Sequence, residues 1–329
     1  MRAFSADPTA LEAELEAALE ADRHGPAVVA IGGGTGLAQA LLAIGRYAGS
    51  INAIVTVADD GGSSGRLAPA LEIPPPGDIR RCLIALTPDD SVWRRLFEYR
   101  FEDADVSGHS LGNLILASLA DLEGDFEAAL RASERLLGSI GSVIPASPQR
   151  LRLEGVVDGR RCAGQVAVAT AAGTIERLWL EPRSAVASPH AVEAIAAADQ
   201  IVLGPGSLYT SLMAVLLVPG IAEAINHSEA KLVYVANLMT QDAETLGMDA
   251  ADHLEALLAM TGVRTPSAIV ANTKAVVVEP PLEPIVVDPD VLATYGVDVV
   301  HADLVDPTVG WPRHDPARLG GVLGRLVYS

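Results

Sequence analysis

"AVVAIGGGTGLAQALLAI", residues 27–44, decides the fold. Five apolar residues run without interruption, four glycines close around Thr35, and an apolar helical pattern follows at once. A buried strand that turns on glycine straight into a helix is the opening unit of a parallel α/β sheet. The turn of such a unit lies at the carboxyl edge of the sheet. Free N–H groups and the positive end of the helix dipole face outward there, and the missing Cβ atoms let a ligand approach the backbone. Gly33, Gly34, Thr35 and Gly36 are therefore candidate ligand contacts. The dinucleotide fingerprint G-x-G-x-x-G fails by one residue, because counting from Gly32 the third glycine falls on Leu37.

Outward from this unit, short apolar strands alternate with helical patterns. "INAIVTV" (51–57), "DQIVLG" (199–204), "KLVYVAN" (231–237), "SAIVANT" (267–273) and "VDVVHADL" (297–304) read as strands. The alternation predicts a Rossmann-like three-layer α/β sandwich, mostly a parallel sheet covered on both faces. Between 150 and 181 the periodicity changes around Asp158-Gly159, a hairpin turn pair, and predicts a small antiparallel excursion. Residues 1–24 carry Leu11, Leu15 and Leu19 on a Glu- and Ala-rich stretch and read as an N-terminal helical extension. Residues 25–329 read as one nucleotide-binding domain.

The chain of 329 residues is half hydrophobic, with a formal net charge of −19. That balance argues against nucleic acid or an anionic membrane surface as a partner. Cys82 and Cys162 form no C-x-x-C pair, which points to a reducing compartment and no structural zinc. No apolar run reaches about 18 residues and no basic-then-apolar leader opens the chain, so the expectation is a cytoplasmic protein without membrane insertion.

Further blocks carry polar residues at strand ends. "ADDGGSSG" (58–65) places Asp59 and Asp60 about 25 residues past the first glycine loop, where an acid bonds the ribose in ordinary dinucleotide sites. The same pair could hold magnesium through one carboxylate and several waters. Ser63 and Ser64 follow as donors, and the lysine of a P-loop is absent. In "PPPGDIRR" (74–81) Asp78 is placed to cap the following helix or to act as an acid, and Arg80 or Arg81 to face a phosphate. In "GHSLGN" (108–113) Ser110 is an N-cap, His109 a candidate proton carrier and Asn113 a ligand contact; there is no G-x-S-x-G elbow. "VLGPGSLYTSL" (202–212) repeats the anion-cradle logic with Gly204, Gly206 and Ser207, so two loops could hold the two ends of one extended ligand. "ANLMTQDAET" (236–245) delivers Asn237, Thr240 and Gln241, amides and a hydroxyl suited to a base, a sugar or an acetamido group. Asp59, Asp60, Asp78 and His109 are the candidates for catalysis.

These six blocks, in this order, resemble the YvcK family, the gluconeogenesis factors. The likeness runs through "IGGGTGL", "AIVTVADDGGSSGRL", "IPPPGDIR", "GHSLGNLILA", "GPGSLYTS" and "LLVPGI", covers roughly residues 26–262, and echoes in "RHDPARL", which adds Arg313 to the candidate contacts. The wider superfamily includes CofD, the 2-phospho-L-lactate transferase. The resemblance implies a nucleotide ligand across the carboxyl edge: a UDP-sugar, notably UDP-N-acetylglucosamine, with NAD(P) as the alternative. It also implies a link to gluconeogenic growth, envelope-precursor supply and cell shape, a protein partner in envelope-precursor synthesis, and a homo-oligomer. Two other functions stand beside it. One is a CofD-like transferase with Asp59 or Asp60 on magnesium. The other is an NAD(P)-binding oxidoreductase, weakened by the missing third glycine and the missing hydride-transfer residues.

Overall fold

The computed structural model describes residues 24–103 and 106–329. The expected N-terminal helix lies, except for His24, outside them. In chain order the strands are β1 (Ala27–Gly32), β2 (Ser50–Val55), β3 (Ser142–Pro145), β4 (Arg152–Val157), β5 (Arg160–Ala163), β6 (Ile175–Glu181), β7 (Gln200–Leu203), β8 (Lys231–Val235), β9 (Ala268–Asn272) and β10 (Asp298–Ala302). Seven of them form one sheet in the order β10-β9-β8-β7-β1-β2-β3, and every pairing in it is parallel. The protein is a three-layer α/β sandwich, as the strand–helix alternation predicts.

β1 is interior, and Val28, Val29, Ala30 and Ile31 are all essentially buried. An unbroken apolar run is what a strand covered on both faces requires. From β1 the chain steps outward through β2 to β3, then returns and steps the other way from β7 to β10. The order therefore reverses between β1 and β7. In open α/β sheets the crevice at the carboxyl ends of such a pair is where ligands bind. The Gly204 N–H donates to the Ile31 carbonyl at 3.0 Å, so the loop leaving β7 is tied to the end of β1.

The antiparallel excursion is present as a three-stranded sheet, β5-β4-β6. Asp158 and Gly159 make its hairpin turn with φ of 45° and 73°, the positive pair that a two-residue turn demands. This small sheet is latched to the large one. The Val166 N–H donates to Asp60 Oδ1 at 2.9 Å, and Gln165 Nε2 donates to the Thr210 carbonyl at 2.7 Å.

Three elements depart from the pattern-based expectation. β3 is only "SVIP", too short to show periodicity, and its Val143 N–H is met by the Glu134 carboxylate at 2.6 Å. The helix Pro316–Leu326 contains Gly320, Gly321 and Gly324, residues that weaken a helical reading, and is started by an Asp315 cap on Ala317 and Arg318. The loop after β7 opens into π-helical turns, Leu208–Met213, before a short α-helical segment. Among the described residues, no single helix is long and apolar enough to cross a membrane.

Candidate functional site

A cavity of about 510 Å³ opens at the strand-order reversal. Thr35 and Gly36 of the first glycine loop line it, with Gly206 and Ser207 of the second, Asn237, Thr240 and Gln241 from beyond β8, and Arg313. Sequence blocks far apart in the chain thus meet around one space.

The two loops meet backbone to backbone. A Cβ on Gly36 would lie 2.4 Å from the Pro205 carbonyl oxygen, so no side chain fits there. Gly34 has φ of +66° and its Cβ would meet nothing within 4 Å, so the loop faces open space at that point. In the first turn of the helix Gly34–Ile44, the N–H groups of Thr35 and Gly36 have no carbonyl of their own helix to bond. The second loop is stiffened by Asn237. Its Oδ1 accepts the Gly206 N–H at 3.1 Å, and its Nδ2 donates to the Gly206 carbonyl at 2.9 Å.

The second loop is not the free cradle expected of it. Glu244, buried, accepts from the N–H groups of Tyr209 and Thr210 and from the Thr210 hydroxyl at 2.6 Å. Its pKa is raised by burial, with those three donors opposing the rise. Gln241 donates to Glu244 at 2.9 Å and accepts from the Ser207 hydroxyl at 2.8 Å, so Ser207 is held by a chain that ends on that carboxylate. Thr240 exchanges hydrogen bonds with the Glu283 backbone in both directions. Arg313 donates through Nε to Asp306 at 2.9 Å. Hydrogen bonds from Thr308 and Arg313 hold Asp306 down at about 2. Burial lowers His314, beside it, to about 4, so the imidazole is neutral at neutral pH.

The remaining expected residues gather on the β2 side of the first loop. Arg80, buried, donates through Nε to Asn113 Oδ1 at 3.0 Å. Asn113 Nδ2 donates to Ser63 Oγ at 3.1 Å, and Ser63 Oγ lies 2.9 Å from His109 Nδ1. With Asn113 donating to it, the Ser63 hydroxyl keeps its proton and one lone pair, so it meets His109 Nδ1 in either tautomer. Partial burial lowers His109, and Arg66 and Arg100 lower it further. Burial, followed by the neighbouring charges of Arg81 and Arg100, lowers Arg80 to about 10. Ser64 accepts the Gly77 N–H at 3.0 Å. Gly33, Gly34 and Gly204 are absent from the cavity lining. A Cβ on Gly33 would lie 2.5 Å from Asp78.

One expectation about the acids is corrected. Asp78 does not cap its own helix: the N-cap of Pro76–Ala85 is Pro75, without a side-chain bond. The Asp78 carboxylate reaches beneath the first glycine loop, where it accepts from the Gly34 N–H and pairs with Arg81. Its pKa is raised by burial, with Arg81 opposing. Asp59 and Asp60 do not line the cavity, since they follow β2, which lies on the opposite side of β1 from β7 and β8. Asp59 accepts the Gly61 N–H at 2.9 Å, and Asp60 holds the Val166 latch. Among the described residues no group of three His, Cys, Asp or Glu is arranged to hold a metal ion. With Asp78 committed to Arg81 and Gly34, and Asp60 to the latch, Asp59 could at most add one carboxylate to a magnesium carried by ligand phosphates.

Fold and cleft together define a doubly wound α/β protein with its cavity where the strand order reverses. Residues 28–305 match the family described as 2-phospho-L-lactate transferase CofD, and the chain belongs to that family. A protein named gluconeogenesis factor from Halalkalibacterium halodurans is 44% identical over 282 residues, spanning 83% of this chain and 88% of the relative. The gluconeogenesis factor of Bacillus subtilis is 39% identical over 311 residues, spanning 92% and 98%. The crystal structure of a UPF0052 family member from Bacillus halodurans aligns with a TM-score of 0.87 at 40% identity, covering 91% of this chain and 98% of that one.

Proposed function

We propose that this protein binds a nucleotide sugar of the UDP-N-acetylglucosamine class in the cavity between β1, β7 and β8. In this reading it serves as a cytoplasmic regulator that ties gluconeogenic growth to envelope-precursor supply and cell shape. The observation that carries the reading is the junction of the two glycine loops. There the first-turn amides of Thr35 and Gly36, which have no carbonyl of their own helix to bond, belong to residues lining a cavity that also holds Arg313. Unpaired amides at a helix start and one guanidinium suit a diphosphate. The ionisable side chains of the lining are Asp242, Arg313 and a neutral His314, a set suited to recognition rather than proton transfer. The names of the relatives support the metabolic link. Titration calorimetry and thermal shift with UDP-N-acetylglucosamine, NAD, NADP and GDP test it. The expected result is preferential stabilisation by the UDP-sugar, about 2.7 kcal/mol at a hundred-fold excess over Kd. Stabilisation by NAD(P) or GDP alone overturns it.

A second reading, a CofD-like transferase, draws on the hydrogen-bonded Ser63, His109 and Asn113 and the nearby Asp59 on the other side of the same loop. In the regulator, Asp59→Asn keeps nucleotide affinity within about three-fold, since its carboxylate does not line the cavity. A transfer activity that Asp59→Asn abolishes without changing affinity would instead establish the second reading, because such a group acts only in the transition state.

A further inference from the structure

One stretch of the cavity wall is apolar: Leu238, Met239, Leu282, Trp311 and Pro312. Trp311 borders this wall yet is 60% exposed. Among the described residues no ring or cation stacks on it. Trp179, by contrast, carries Arg161 and Arg183 over its ring, their guanidinium carbons 5.6 and 5.1 Å from the ring centre. The loop that carries Trp311 is held at its base. Val305 bridges to His314, and the Asp306 N–H donates to the Arg313 carbonyl at 3.0 Å. The Asp306 carboxylate takes both Arg313 Nε and the Thr308 hydroxyl. An indole left in water on a pinned loop, beside an apolar wall, has a face ready for a planar partner.

We infer that Trp311 is the platform on which the base of the bound nucleotide stacks, an assignment that rests on the nucleotide-sugar reading. The parts of such a ligand sort by chemistry. Phosphates need the N–H donors of the glycine loops. Sugar hydroxyls and an acetamido group need the amides and carboxylate of Asn237, Gln241 and Asp242. Only a base presents a flat π-face, and the Trp311 wall is the apolar, aromatic part of the lining. Arg313, two residues on, has one nitrogen engaged by Asp306 and brings its remaining donors to the same end of the cavity.

The test uses the full chain, with titration calorimetry and tryptophan fluorescence on wild type, Trp311→Ala and Trp311→Phe. The exposed position keeps both variants folded, which melting curves check. Trp311→Ala is expected to weaken UDP and UDP-N-acetylglucosamine by the same factor, about ten-fold or more. Trp311→Phe keeps affinity within about three-fold, because any aromatic face stacks. UDP quenches the fluorescence of wild type and not that of Trp311→Phe. Unchanged affinity in Trp311→Ala overturns the inference and leaves the nucleotide-sugar reading standing, as does a loss confined to UDP-N-acetylglucosamine, which would place the sugar on the indole. If wild type takes GDP or NAD instead of UDP, that reading falls and the same variants test the stack with the nucleotide that binds. A wild type that binds no nucleotide overturns both.

Discussion

On its β7–β8 side the first glycine loop faces amides, hydroxyls and an apolar wall, with Asp242, Arg313 and a neutral His314 as the ionisable groups; on its β2 side it faces an Asp78–Arg81 ion pair, with Arg80 and His109 beyond it. Both sides belong to one short stretch of backbone whose N–H groups attract negative charge. On the β2 side that attraction is already met, since Asp78 sits on the Gly34 N–H with Arg81 beside it. Glu244 does the same for Tyr209 and Thr210 in the second loop. In the first loop the N–H groups of Thr35 and Gly36 remain for a guest. A helix start is therefore no guide to a ligand site until the protein's own carboxylates have been placed, and here they leave one side open.

The largest way to break this contrast is at the loop junction. Gly36→Val drives a side chain into the Pro205 carbonyl, 2.4 Å from the Cβ position, and parts the two loops. Overpacking of this kind costs about 1–3 kcal/mol, and nucleotide binding should vanish with a lowered melting temperature. Gly34→Val, whose Cβ points into open space but whose φ of +66° strains any side chain, should lose binding and remain folded with a lowered melting temperature. Calorimetry that still finds ligand in either variant would separate the cavity from the loops.

The contrast sharpens when one arginine is removed from each side. Arg313→Ala should weaken the nucleotide ten- to a hundred-fold, the loss of a charged hydrogen bond worth about 1.5–3 kcal/mol. Arg81→Ala should leave affinity unchanged and lower the melting temperature, because it strips Asp78 of its counter-charge. Equal losses of affinity in the two variants would mean that the ligand spans both sides.

The smallest effect is expected at a site remote from both. Burial raises Glu134, at the β3 edge, from 4.5 to about 7. A raised carboxyl pKa stabilises the folded state fully below pH 4.5, and that contribution is lost as pH climbs towards 7. The melting temperature of wild type minus that of Glu134→Gln should therefore fall across this window, with nucleotide affinity equal in the two proteins. A flat difference would show that the Val143 N–H offsets the burial.

β1 and its loop were legible because an unbroken apolar run and clustered glycines carry their own geometry. The Asp158-Gly159 hairpin was legible for the same local reason. β3 was not, because four residues hold no period. Asp59 was read towards a ribose by analogy with ordinary dinucleotide sites. Which side of β1 the cavity takes depends on strand order, and that is not a local property. Asp78 and Glu244 were misread or missed because their backbone partners lie far along the chain. Trp311 gave no signal, since a single aromatic in a turn-rich stretch has no pattern to join.

The neighbours of β1 are β2, close behind it in the chain, and β7, which begins only at Gln200. A growing polypeptide can pair the first edge early. It must carry the second one bare until most of the protein has been made, and an apolar strand with an open edge is a template for wrong partners. The cleft therefore comes into being late, on the arrival of residues 200–207. A chain broken off before that point would have the first glycine loop and no wall to face it.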